Sequence, residues 1–191
     1  MMGIWGLWEK TGDSVYIKYV KKIVDHFVTA DGEIRTYDLT DYNADHILTG
    51  RLILRLYDAY KDPKYKKAAD LLRKQIDWQP RNRAGGFWHK LKYPAQMWLD
   101  GLYMIEPFYA EYTKRFGGKD ALTDIVHEFV LMEQKARDPK TGLIPDGIRS
   151  KELAVMRNMP IRENGIFNSP LVNNVYTSAG PTQNGGRTRT L

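Results

Sequence analysis

Gly85-Gly86-Phe87-Trp88-His89-Lys90, continued by Tyr93-Pro94-Ala95-Gln96-Met97-Trp98-Leu99-Asp100-Gly101-Leu102-Tyr103-Met104, is the stretch whose reading decides the fold. A glycine pair frees the backbone to turn, two tryptophans and a histidine follow, and a proline closes the loop before an apolar run that reads as the start of a helix. Asp100 sits inside that run, with apolar neighbours in sequence and one helical turn on. Two readings of it stand. An aspartate at a helix start caps it or meets the positive end of its dipole. A carboxyl pressed against hydrophobic bulk is desolvated instead, which favours the protonated form and suits a proton donor. A second aspartate bears on the choice.

Upstream, Ile17, Val20, Ile23, Val24, Phe27 and Val28 keep the helical period between lysines, which predicts an amphipathic helix from Ser14 to about Ala30, ended by Asp31-Gly32. Asp45 opens a second periodic run through Ile47, Leu48, Leu52, Ile53, Leu56 and Tyr57, more apolar and with fewer charges. Lys61-Asp62-Pro63 breaks the chain, and Tyr65, Ala68, Ala69, Leu72 and Ile76 mark a lysine-rich third helix. A largely apolar helix follows from about Gln96 to Arg115, with a bend expected at Pro107. Beyond Gly117-Gly118, Ile125, Val126, Phe129, Val130 and Met132 predict a fifth, amphipathic helix that fades between Arg137 and Gly142.

Two joints repeat. The run Leu7 to Asp13, with Tyr16 and Val20, aligns with Leu56 to Asp62, with Tyr65 and Ala69, at an offset of forty-nine residues. Apolar and amphipathic helices alternate accordingly, so the predicted class is all-α: a ring of helix hairpins with apolar members inside and amphipathic ones wrapped outside. Inner helices of such a ring run the same way. Asp45 and Asp100, fifty-five residues apart near the starts of two successive inner helices, are therefore expected at one end of the central cavity. A carboxylate pair sharing a cleft with Tyr42, Trp88, His89 and Trp98 has the parts of a glycosidic site.

Composition narrows the alternatives. The chain of 191 residues is 42% hydrophobic and 12% aromatic, an ordinary globular composition with room for one domain. The net charge is +6, but the basic residues are scattered among acidic ones rather than gathered in a stripe, which argues against a nucleic-acid partner. There is no cysteine, hence no disulfide framework or thiolate metal site, and the four histidines show no two-histidine spacing on one helix face, so no metal site is expected. No apolar run approaches the roughly 20 residues of a membrane span. Met1 to Trp8 has neither a basic head nor a cleavage site, which makes the cytoplasm the default expectation.

The segments Asp41-Tyr42-Asn43-Ala44-Asp45 with Gly50-Arg51, Gly85 to Lys90, and Gln96 to Met104 with Pro107-Phe108-Tyr109-Ala110 resemble the unsaturated rhamnogalacturonyl hydrolases of glycosyl hydrolase families 88 and 105. The resemblance spans roughly Met1 to Gly142. It implies a six-hairpin α/α toroid and removal of a terminal unsaturated uronic acid from oligosaccharides left by polysaccharide lyases, as in pectin degradation. It further implies hydration of a vinyl ether: Asp100 protonates the double bond and activates water, and the resulting hemiketal opens and expels the neighbouring sugar. Asp45 matches the second carboxylate, which positions substrate. Tyr42, Asn43, Trp88, His89 and Trp98 match the sugar-binding surroundings. No metal or organic cofactor is implied.

Two departures from the family pattern shape the domain reading. Met1 to Lys10 reads as the end of an inner helix whose front is missing. Residues 143–191, with four prolines, five glycines, six asparagines and no tryptophan, lack the family's later motifs and any sustained periodicity, and read as an irregular, poorly ordered tail. Expected domains are thus a partial toroid over residues 1–142 and a tail over 143–191, with a frameshift or gene-model error replacing the C-terminal half. The tryptophan and arginine that hold the substrate carboxylate in the family fall in that half, so a truncated and inactive hydrolase is one expectation. Apolar inner faces left open favour self-association. The competing functions are an unsaturated glucuronyl hydrolase and a non-catalytic helical-repeat interaction module. Lys90 and Lys92 are expected to be solvated, Glu106 structural, and His46 and His127 surface or packing residues.

Overall fold

The computed structural model describes residues 1–144; the expected tail, from residue 145 on, lies outside the described residues. The elements are α1 (Met2–Thr11), α2 (Ser14–Phe27), a 3-10 turn (Leu39–Asp41), α3 (Ala44–Ile47), α4 (Gly50–Tyr60), α5 (Pro63–Trp78), α6 (Leu99–Phe116) and α7 (Lys119–Ala136). Among the described residues there is no strand, only isolated antiparallel bridges between Val28 and Ile34 and between Arg81 and Phe87.

Three antiparallel pairs, α1/α2, α4/α5 and α6/α7, form the body, and α4 and α5 both pack on α6. The turns that reverse the chain are short because their chemistry is local. The carboxylates of Asp13 and Asp62 accept hydrogen bonds from the N–H groups of Val15 and Lys64, and Pro63 opens α5 with its ring-fixed φ. Val20, Leu54, Leu56, Tyr65, Ala68, Leu72 and Phe108 are fully buried in one core that runs from α1 to α6. Each large side chain there contributes about 1.5–3 kcal/mol of apolar transfer energy. A smaller cluster of Met97, Leu102, Leu131, Met132 and Ala136 joins the start of α6 to α7.

Several expectations are corrected. Helix α2 stops at Phe27, because Val28 turns extended and bridges to Ile34. Asp31-Gly32 turns that small hairpin rather than capping the helix, and Gly32 (φ 84°) is pressed on α5, where a Cβ would stand 2.3 Å from Lys67 Cβ. The run opening at Asp45 is two helices. Asn43 caps the one-turn α3, Thr49 Oγ1 donates to the His46 carbonyl, and α4 begins at Gly50. Gly50 lies where α4 packs tightly on α6 and α5, since a Cβ there would sit 2.4 Å from Phe108 Cδ2 and 2.8 Å from Leu72 Cδ1.

Helix α6 begins at Leu99, not Gln96, because Ala95 takes a left-handed φ of 61° and the chain stays extended through Trp98. The helix continues without a break through Pro107, which cannot donate to the carbonyl of Tyr103. Helix α4 is also less apolar on its inner side than the hydrophobic positions alone suggest. Arg51 pairs with Glu111 at 3.1 Å, Arg55 with Glu9 at 3.3 Å and Asp58 with Arg115 at 2.7 Å, so a charged layer joins α1, α4 and α6. Helix α7 is apolar on two sides: Leu131, Met132 and Ala136 are buried, while Leu122, Val126, Phe129 and Val130 form an exposed stripe.

Candidate active site

The polypeptide from Gln79 to Trp98 is an irregular loop held by side-chain amides of α5. Gln75, on the buried face of α5, and Gln79, at its C-cap, are both buried and lie one turn apart. Gln79 Nε2 donates to the carbonyls of Tyr42 at 2.8 Å and Trp88 at 2.7 Å, and Gln75 Nε2 donates to Asn43 O at 3.1 Å and to Gln79 Oε1 at 3.0 Å. Main-chain bonds complete the seam, with Ala44 N–H donating to His89 O at 2.9 Å and His89 N–H to Gln96 O at 2.8 Å. Two segments about forty-five residues apart are thereby brought side by side. The signal in the sequence was a pair of glutamines on an otherwise apolar helix face, where they must find partners.

From the other side, Arg81 ties the loop to α7. Its guanidinium meets both oxygens of Asp124, at 2.8 and 2.5 Å, and Glu128 Oε1 at 3.1 Å, and it lies 3.7 Å over the Phe87 ring. Glu128 also accepts the Phe87 N–H. Burial pushes the Glu128 carboxyl up to about 8 against the pull of Arg81 and the Phe87 N–H. Glu106 faces the same interior, and burial together with the charges of Glu128 and Asp124 pushes it up to about 9. It is neutral at neutral pH, consistent with a structural reading. Glu106 and Glu128 share with Trp88, His89 and Met97 a small cavity of about 10 Å³, the space of one water molecule.

On this base the two aspartates converge. Asp45, in the single turn of α3, and Asp100, in the first turn of α6, stand on either side of the His89 ring. His89 Nε2 is 3.2 Å from Asp45 Oδ1 and Nδ1 is 3.8 Å from Asp100 Oδ1. Both carboxylates are a little over one third exposed, whereas the His89 side chain is 1% exposed. Asp100 thus reaches the surface, while its Oδ1 is shut off from water and has no hydrogen-bond partner. Carboxylates held far apart in an open superhelix would have favoured the interaction-module alternative, and here both stand beside one imidazole.

The remaining expected residues take varied places. Trp98 is half-buried and stacks on His89 (centroids 4.3 Å apart) and on Tyr93 (5.0 Å). Trp88 is buried against the small cavity, with its indole N–H unpaired. Tyr42 is buried with a left-handed φ of 43°, and its carbonyl serves Gln79. Asn43 spends its amide oxygen on the Asp45 N–H, and its Nδ2 lies 3.4 Å from His46 Nε2. Lys90 is not simply solvated: its ammonium lies 2.5 Å from Asp45 Oδ2. This pairing, and the stacking of Tyr93, escaped sequence reasoning because both depend on the loop folding back on α3 and Trp98. Lys92 lies over the Tyr93 ring.

Oxygens of Asp45 and Asp100 and a nitrogen of His89 come within 4.8 Å of one another and form the candidate cation-binding group among the described residues. Lys90 already brings a positive charge to Asp45, so the group has a built-in counter-ion. Among the described residues no helix is long and apolar enough to cross a membrane.

Comparison with known proteins agrees with this architecture. The chain matches the model of Glycosyl Hydrolase Family 88 over residues 1–158. Its structure is similar to a C. acetobutylicum ATCC 824 glycoside hydrolase from family 105, at 42% sequence identity and a TM-score of 0.75 over 78% of this chain and 41% of that one. The chain therefore spans about two fifths of that relative, and its three hairpins are part of an α/α toroid. Because that family's model covers residues 1–158 of the 191, the chain belongs to glycosyl hydrolase family 88.

Proposed function

We propose that the cleft between Asp45 and Asp100 removes a terminal unsaturated galacturonyl residue from rhamnogalacturonan oligosaccharides by hydrating its vinyl ether. The observation that carries this reading is the convergence of two partly exposed carboxylates on one buried imidazole, at the ends of successive inner elements. Asp45 has a lysine and a histidine as partners, which suits a carboxylate that orients substrate hydroxyls. Asp100 has no such cation beside it and one unpartnered oxygen, which suits proton transfer.

In this mechanism Asp100 gives its proton to the vinyl carbon remote from the ring oxygen. The cation that forms on the adjacent carbon is stabilised by the ring oxygen and accepts a water molecule. The water's proton passes to the Asp100 carboxylate, so the enzyme ends each cycle as it began. The hemiketal then opens and releases the neighbouring sugar. No metal or organic group enters these steps.

The test is loss of the conjugated-uronate absorbance when the purified chain meets unsaturated rhamnogalacturonan disaccharide, beside an Asp100→Asn variant. Turnover by the parent and a loss of about 100-fold or more in the variant support the reading. Turnover confined to an unsaturated glucuronyl substrate would move the assignment to that activity, and a fully active variant would overturn the role of Asp100.

A further inference from the structure

The loop that carries Trp88 and His89 is hydrogen-bonded to two of the helices around it. The Gln79 amide, at the end of α5, holds the Trp88 carbonyl, and Glu128 of α7 holds the Phe87 N–H. Toward α6 the loop presents side chains. Trp88 and His89 line the small cavity of about 10 Å³ together with Gly101, Leu102, Ile105 and Glu106 of that helix.

Three polar atoms of these lining residues are buried with no hydrogen-bond partner in the protein: Trp88 Nε1, His89 Nδ1 and Glu106 Oε2. Their residues are 7%, 2% and 2% exposed, so bulk solvent does not serve them. An unpaired buried donor or acceptor carries its full desolvation penalty, and three beside one cavity call for a common partner. His89 Nδ1 stands 3.8 Å from Asp100 Oδ1, beyond hydrogen-bond reach. Glu128 also lines the cavity but needs nothing from it, since Arg81 and the Phe87 N–H take its oxygens. A cavity of this volume holds a water when it offers about two to four polar partners, and stays dry when its lining is hydrocarbon alone. Gly101 keeps the space open, since a Cβ there would stand 3.3 Å from His89 Nδ1.

We propose that this cavity is a binding site for one ordered water molecule, which accepts the Trp88 indole N–H, bonds Glu106 Oε2 and His89 Nδ1, and so ties the loop to α6. A water donates or accepts as its partner requires, so the bridge forms with either tautomer of the imidazole. The loop is then anchored on all three helices, by an amide at the end of α5, a carboxyl on α7 and a water on α6. The site is independent of the function proposed above and holds its water whatever sugar the cleft accepts.

The probe is water itself, and no turnover is needed. The full chain is labelled with 15N-tryptophan, and transfer of magnetisation from water to the Trp88 indole proton is recorded by laboratory-frame and rotating-frame Overhauser spectroscopy. The indole signal is assigned by its absence in Trp88→Phe. A held water gives cross-peaks of opposite sign in the two experiments, whereas chemical exchange of the indole proton gives the same sign in both. Opposite signs are expected in the parent and in Glu106→Gln, which keeps an acceptor and has no carboxyl proton to relay the effect. Loss of the cross-peak is expected in Gly101→Ala, whose methyl group takes up the cavity. Absence of the cross-peak in the parent, its loss in Glu106→Gln or its survival in Gly101→Ala would overturn the proposal. Circular dichroism establishes that each variant is folded, and the parent experiment decides alone where one is not.

Discussion

Replacing Glu106 by Gln is expected to stabilise the protein by an amount that grows with pH. Glu106 is 2% exposed, and burial, with the charges of Glu128 and Asp124, raises its carboxyl from 4.5 to about 9. Above pH 4.5 the unfolded chain releases this proton while the folded chain retains it, so the folded state binds more protons and stability falls as pH rises. Each pH unit costs about a factor of ten in the folding equilibrium until the folded carboxyl itself ionises near 9. At pH 7 the accumulated cost is about 3 kcal/mol, which corresponds to about 6–12 °C in Tm for a chain of this size. Glutamine has the same shape and no proton to lose. Thermal melts of parent and variant should coincide at pH 4 and separate progressively toward pH 8, the variant melting higher. A gap that is constant with pH, or a variant less stable throughout, would refute the placement of Glu106 as a buried, protonated carboxyl.

Other substitutions probe the remaining contacts. Gly50→Ala drives a methyl group into Phe108 and Leu72 and is expected to cost about 1–3 kcal/mol, read in urea denaturation. Gln79→Leu strips the donor from the Tyr42 and Trp88 carbonyls and is expected to cost about 2–4 kcal/mol in the same assay. Arg81→Leu leaves buried Glu128 without its guanidinium and should cost about 3–5 kcal/mol, with α7 the first helix to lose amide protection in hydrogen exchange.

The parts of the fold that could be read from residue order are those fixed by local chemistry. Asp62-Pro63 marks the start of α5 because a carboxylate cap and a preset φ act on the next few residues alone. Alternation of helix type, combined with the repeat of the joints, was enough to place Asp45 and Asp100 at one end, since hairpins force successive inner helices to run the same way. What escaped was set by distant partners. The apolar run from Asp45 conceals the split between α3 and α4, because Gly50 is there to admit Phe108 from fifty-eight residues away. Lys90 looks solvent-bound until the loop carries it to Asp45. His89 was legible as a site residue, but its burial between two carboxylates follows from the Trp98 stack and the Gln79 amide, neither of which leaves a periodic trace.

The central claim is that Asp100 delivers a proton to carbon in a hydration reaction. The most direct measurement is NMR of the product formed from unsaturated rhamnogalacturonan disaccharide in deuterated water, by the parent chain and by Asp100→Asn. The account predicts one deuterium on the former vinyl carbon with the parent, and no product with the variant. Product that carries no deuterium at that carbon, or undiminished turnover by the variant, would contradict it.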